Sequence, residues 1–143
     1  MRFWDSSAVV PLIVHQTSSS DAEAWIAEDP EAVTWTLTGV EIVSALRRLV
    51  RGGALGERTA IAGEALAADV LRSTHVVTDV ERVKPTAMRL LRVHTLRAAD
   101  ALQLAAALAW ADGSPTGLVL HTFDRRLGLA AEREGFRVVP EPA

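Results

Sequence analysis

The sequence predicts an α/β fold in which a parallel sheet is covered by helices on both faces. Three observations carry that expectation. Short runs rich in β-branched and aromatic residues alternate with longer segments of helical periodicity. No strand-like run is joined to the next by a hairpin turn, so the connections are crossovers, and helices supply those in parallel sheets. The chain has 143 residues, 49% of them hydrophobic and 23% charged, which suits one folded domain with a substantial core and argues against disorder.

Taken in order, residues 2–4 (RFW) read as a short strand and 6–14 as a helix that carries Pro11. SSDAEAWIAE (19–28) reads as a helix opened by a capping box of Ser20 and Glu23. AVTWT (32–36) is strand-like by its side chains. Residues 38–51 follow as a helix with Val40, Val43, Leu46 and Leu49/Val50 assigned to one face, stopped by Gly52-Gly53. An Ala-rich helix is expected over 55–72, a strand over THVVTDV (74–80), and helices over 82–94 and 98–111. The second of these, AADALQLAAALAWA, has side chains short enough to pack closely on a sheet. DGSPTG (112–117) is a loop, GLVLHTF (117–123) a strand, DRRLGLAAEREG (124–135) a helix ended by Gly135, and FRVV (136–139) a last strand.

Composition removes several chemistries. Without cysteine there is neither a disulfide framework nor a thiolate metal site. His15, His75, His94 and His121 lack the H-x-x-x-H spacing of a zinc site, so they read as structural and any metal would be a hard, oxygen-liganded cation. Charge interrupts every apolar stretch well short of the ~20 residues of a bilayer span. The N-terminus meets Asp5 before any signal-type apolar segment, so the expected location is cytoplasmic, with no membrane partner. Net charge is −3, and Lys84 is the sole lysine among otherwise arginine cations. Arginine suits bidentate contact with phosphate or carboxylate, and it is equally what a GC-rich genome would supply.

The acids are more informative. Asp5 ends the first strand, and Asp124 stands in the same relation to LVLHTF. Glu41 lies in the first turn of the helix after AVTWT, and Asp100 in the first turn of the Ala-rich helix. Each has a local explanation: Asp5 and Asp124 as N-caps, Thr38 with Glu41 as a capping box, Asp100 as a favourable charge at a helix start. Capping alone does not explain why all of them fall in equivalent topological places. In a parallel sheet at least Asp5, Glu41 and Asp124 share one edge, which Asp100 can join, and such folds bind ligands there. Carboxylates gathered there repel one another unless protonated or bridged by a cation. Mg²⁺ or Mn²⁺ is the natural bridge, and its chemistry at phosphates is hydrolysis of phosphodiesters. Ser6 and Ser7 beside Asp5, and Thr122 beside Asp124, can support a carboxylate or an ordered water, or simply cap the helix starts.

DSSAVV (5–10), VEIVSALRR (40–48), LRAADALQLAAAL (96–108) and TFDRRLGLAAEREG (122–135) together resemble the PIN-domain ribonucleases, and most closely the VapC-type toxins of prokaryotic toxin–antitoxin systems. The likeness runs over nearly the whole chain in the family's order. It implies a single domain over 1–143, a three-layer α/β/α sandwich with a central parallel sheet, and endonucleolytic cleavage of RNA with Mg²⁺ or Mn²⁺. Asp5 and Asp100 would be the principal metal ligands, with Glu41 and Asp124 completing the set. A homodimer is implied, as is a cognate antitoxin whose tail covers the site. Arg47, Arg48, Arg51, Arg97, Arg125 and Arg126 then become candidates for RNA phosphates or antitoxin carboxylates, against the plainer reading of solvated helix faces or neutralisers of a ligand carboxylate. Trp4 and Trp35 read as core; Trp25, with Ile26, packs on the body or on a partner.

Rival readings fare worse. A phosphoacceptor receiver has a similar layout and uses a lysine near a strand end to hold the acyl phosphate; Lys84, the only lysine, comes just after the 74–80 strand, and this reading stays a minor one. A haloacid-dehalogenase-type phosphatase needs an acid two residues after Asp5, where Ser7 stands. The remaining alternative is a catalytically silent PIN-fold interaction module binding RNA or a protein, against which the intact acids Asp5, Glu41, Asp100 and Asp124 argue.

Overall fold

In the computed structural model, which describes residues 1–143, the strands are β1 (Arg2–Trp4), β2 (Ala32–Trp35), β3 (His75–Val77), β4 (Val119–His121) and β5 (Arg137–Val139). The helices are α1 (Ser6–Ile13), α2 (Ser19–Glu28), α3 (Thr38–Arg51), α4 (Glu57–Arg72), α5 (Val80–Val93), α6 (Ala98–Trp110) and α7 (Arg125–Glu134). All neighbouring strands pair in parallel, in the order β3-β2-β1-β4-β5. The predicted three-layer α/β/α sandwich is therefore what forms. β1 sits at the centre, with Phe3 aligned to Val33 on one side and to Leu120 on the other.

Strand alternation divides the core in two. Phe3, Val33 and Trp35 face one layer, packed with Leu90 of α5, Leu104 of α6 and Leu127 of α7. Trp4 and Ala32 face the other, against Val9 of α1, Ala22 of α2, Ile42 and Leu46 of α3, and Ala67 of α4. The small side chains of α6 let it lie tightly on the sheet; Ala101, Leu104, Ala105, Ala106 and Ala107 are all fully buried. Gly135, at φ 111°, ends α7 in the left-handed region as its sequence position predicts.

Several local expectations change. The buried stripe of α3 is Thr38, Ile42 and Leu46, while Val40 and Val43 are exposed at 68% and 39%. Counting only apolar residues missed it because Thr38 is polar yet buried, its hydroxyl accepting the Trp35 N–H at 3.2 Å. That bond also removes the Thr38–Glu41 capping box, and Leu37 takes the N-cap position. At α2 the Ser20–Glu23 box is absent. The helix starts at Ser19, whose buried hydroxyl donates to the Pro11 carbonyl at 2.7 Å and accepts the Gln16 N–H at 2.8 Å. The helix before His94 begins two residues early, at Val80, because Asp79 caps it by accepting the Arg82 N–H at 3.1 Å. No helix is long and apolar enough to cross a membrane.

Candidate active site

The chain leaves β1 and β4 at the same edge of the sheet, beside the point where the strand order reverses, and turns there into α1 and α7. Asp5 and Asp124 occupy the two turns. Both are N-caps, as the local reading held: Asp5 accepts the Ser7 N–H at 3.2 Å and Asp124 accepts the Leu127 N–H at 2.9 Å. The Asp5 backbone N–H donates to the His121 carbonyl at 3.0 Å, which ties the two turns together.

Asp5 is only 3% exposed. Its Oδ2 accepts three donors: Ser7 N, Ser7 Oγ at 2.6 Å and Thr122 Oγ1 at 2.8 Å. Having given their protons to Asp5, both hydroxyl oxygens accept backbone N–H groups, Ser7 from Phe123 at 2.9 Å and Thr122 from Asp124 at 3.0 Å. This lattice orients Asp5 and leaves Oδ1 with only a long 3.4 Å contact from Ser6 Oγ. Ser6 lies nearer Glu41, donating to Oε1 at 3.1 Å. Ser6, Ser7 and Thr122 therefore hydrogen-bond within the turns that carry these acids, Thr122 joining the Asp5 carboxylate to the Asp124 backbone.

Glu41 in α3 and Asp100 in α6 join Asp5 and Asp124 around one open cleft of about 590 Å³, walled also by Gln16, Ser18, Ser44 and Phe123. Burial, and then the charge of Asp5, pushes Glu41 up to about 7, against hydrogen bonds from Gln103 and Ser6. Asp5 is likewise raised, chiefly by burial, despite its hydroxyl donors. Asp100 is raised by burial and by the charges of Asp124 and Asp5. Each of these three groups is held in conditions that disfavour its anion, and the protein supplies no buried cation to offset them.

That donor set fits a divalent ion of the Mg²⁺ type. All its atoms are hard oxygens, and Asp5 Oδ1 is largely unspent. No three acids are drawn together into a ready ligand cage.

Of the six arginines proposed as contacts, the cleft brings in Arg48 and Arg97. Arg47 instead bridges Glu57 at 2.7 Å and Glu64 at 2.9 Å, fastening α3 to α4. Arg125 is hydrogen-bonded to the Ala143 carbonyl. Arg51 and Arg126 are outside the cleft wall. His121 is structural: burial holds it down to about 4, its Nδ1 faces the Val139 carbonyl at 3.0 Å, and Trp25 stacks on its ring at 4.6 Å. Trp25 therefore packs on the body of the protein.

One neighbour of the site escaped the sequence reading. Gln103, fully buried in α6, donates from Nε2 to Glu41 Oε2 at 2.9 Å and to Thr38 Oγ1 at 3.1 Å. Its only sequence signal is a lone amide in an Ala/Leu helix, three residues beyond Asp100 and hence on the same face.

A parallel sheet that gathers acids from β1, α3, α6 and β4 into one cleft defines a class, that of the acid-site α/β domains suited to phosphodiester chemistry. Comparison with known proteins narrows it. The PIN domain profile matches residues 2–133. Ribonuclease VapC45 of Mycobacterium tuberculosis (strain CDC 1551 / Oshkosh) and Ribonuclease VapC49 of Mycobacterium tuberculosis (strain ATCC 25618 / H37Rv) are each 36% identical over 138 residues, covering 96% of this chain and 94% of theirs. A toxin–antitoxin complex from Klebsiella pneumoniae shares the fold, with a TM-score of 0.63 at 16% identity over 88% of both chains. The chain belongs to the PIN-domain family, among its VapC-type members.

Proposed function

We propose that this protein is an endoribonuclease toxin that hydrolyses RNA phosphodiesters with Mg²⁺ or Mn²⁺ held in the acidic cleft. The observation that carries the reading is the convergence of Asp5, Glu41, Asp100 and Asp124 on one cleft of a PIN fold. Asp5 and Asp100 would hold the ion, and Asp5 has Oδ1 free for it, because Oδ2 is already taken by Ser7 and Thr122. Glu41 and Asp124 would orient water in the cleft. When bound, such an ion supplies an activated water as nucleophile and neutralises charge at the phosphoryl group. Arg48 and Arg97 at the cleft meet RNA phosphates or, in the repressed state, carboxylates of the antitoxin. The protein acts in the cytoplasm as a homodimer of one-domain chains, held silent by a cognate antitoxin.

The test is purified, antitoxin-free protein incubated with total RNA, with Mn²⁺ or with EDTA, beside Asp5→Asn. Discrete fragments are expected only where metal and Asp5 are both present. Cleavage that survives EDTA, or that Asp5→Asn carries out at full rate, removes the site. Intact RNA in every lane favours the silent interaction module.

A further inference from the structure

We infer that Gln103 is a positioning residue whose side-chain amide sets Glu41 against Asp100 and so readies the cleft for its cation. The inference rests on the metal-dependent reading above and concerns a residue that touches neither ion nor RNA.

Gln103 is 0% exposed in a helix whose other buried positions are alanine and leucine. An amide in such a place is unfavourable unless it is hydrogen-bonded on both ends. Here only one end is. Ionised, as it is when it serves a cation, Glu41 only accepts, so the amide nitrogen is the end that faces it, and both its N–H groups are used, on Glu41 Oε2 and Thr38 Oγ1. Oε1 is then left buried without a partner. A glutamine kept for packing would be satisfied, or would be leucine or methionine. This one tolerates an orphaned carbonyl in order to present its nitrogen.

The arrangement it holds is specific. Thr38 Oγ1 also takes the N–H of Trp35, the last residue of β2. A bracket therefore runs from the strand end through α3 to α6. Glu41 is tied at Oε2 by Gln103 and at Oε1 by Ser6, which removes most of its rotamer freedom. Since Gln103 and Asp100 share α6 one turn apart, the same amide registers Glu41 against Asp100.

The experiment titrates Mn²⁺ by calorimetry into the wild type, Gln103→Met, Glu41→Gln and the double variant, and records metal-free Tm for each. Gln103→Met preserves length and bulk while removing both the donor and the orphaned acceptor. The Mn²⁺ Kd is expected to rise about 10- to 100-fold, with metal-free Tm equal to or above that of the wild type. In the Glu41→Gln background the same change is expected to alter Kd by less than about twofold, since the two act as one unit. Unchanged Kd in Gln103→Met, a Tm loss that accompanies the affinity loss, or a full further effect in the double variant each overturn the inference. Should Gln103→Met fail to fold, Gln103→Asn withdraws the amide by one methylene and takes its place under the same criteria. Wild-type protein that binds Mn²⁺ but leaves RNA intact removes the nuclease reading while the titration still decides Gln103. Wild-type protein with no Mn²⁺ affinity removes both.

Discussion

The protein contains two clusters of partly buried ionisable groups, and they are built on opposite principles. On the flank of α5 and α7, Glu134 meets Arg89 at 2.7 Å and the largely buried His94 at 2.7 Å. The Arg89 hydrogen bond is the main reason the Glu134 carboxyl lies below its usual range, more than offsetting burial. At the carboxyl edge of the sheet, Asp5, Glu41 and Asp100 are all raised, with burial as the first cause and neighbouring carboxylates adding to it. One cluster pairs a carboxylate with cationic partners. The other sets carboxylates against one another with no buried cation between them. The two clusters thus differ in the direction in which their carboxylates move, more than in how many acids they contain.

Removing one acid from each cluster sharpens that contrast most. Asp100→Asn is expected to lower RNA cleavage by about 10²-fold or more, since metal-phosphoryl stabilisation is worth several kcal/mol. Its metal-free Tm should stay level or rise, because a disfavoured anion is gone. Glu134→Gln should do the reverse: a stability loss of about 1–2 kcal/mol, because the amide keeps one acceptor oxygen and either His94 or Arg89 loses its partner, and unchanged cleavage well below Tm. Parallel measurement of cleavage rate and thermal melting separates the two; a Tm loss in Asp100→Asn as large as in Glu134→Gln would erase the distinction.

The pH dependence of metal-free stability is a smaller effect with a definite sign. Glu41 in the folded state sits at about 7, above its ordinary 4.5. At Glu41 the folded state therefore binds more protons than the unfolded chain between those values, so this carboxyl's contribution to stability should fall as pH rises from about 5 to 8, while His121, held down to about 4, contributes in the opposite sense below its ordinary 6.5. The change is on the order of 1–2 kcal/mol once solvent at the half-open cleft is allowed for. Glu134, being depressed, contributes in the opposite sense and lower down, its stabilisation lost as pH falls through its folded value. Glu41→Gln keeps the His121 contribution and removes that of Glu41, so the metal-free Tm of the wild type relative to Glu41→Gln should decline across this range. A difference that stays flat or climbs from pH 5 to 8 would contradict the account of the cleft.

The same contrast explains what was legible in the sequence. Alternation of strand and helix patterns foretold the parallel sheet, and with it the shared edge on which Asp5, Glu41, Asp100 and Asp124 meet. The capping and site readings of Asp5 and Asp124 proved compatible: a cap uses part of a carboxylate and leaves the rest facing the cleft. What stayed hidden depends on tertiary partners. Gln103 gains its meaning from Glu41, 62 residues away. The inward face of α3 turns on a buried threonine, which apolar counting passes over. Adjacent arginines on α3 read alike as letters, yet α4 supplies acids to one of them and the cleft takes the other.

That last pair gives the smallest expected effect and the closest test of the matched-versus-mismatched distinction. Arg47 is spent on Glu57 and Glu64, whereas Arg48 lines the cleft. In a catalytically inactive Asp100→Asn background, Arg48→Ala should weaken RNA binding a few-fold. It should also reduce the slope of log affinity against log salt by about 0.7, the loss of one phosphate contact on a single strand. Arg47→Ala should leave affinity and slope unchanged and lower only Tm, since its charge is already answered within the protein. Binding isotherms at several salt concentrations decide it. Equal losses for the two variants would mean that a general positive field, and no placed contact at Arg48, attracts the RNA.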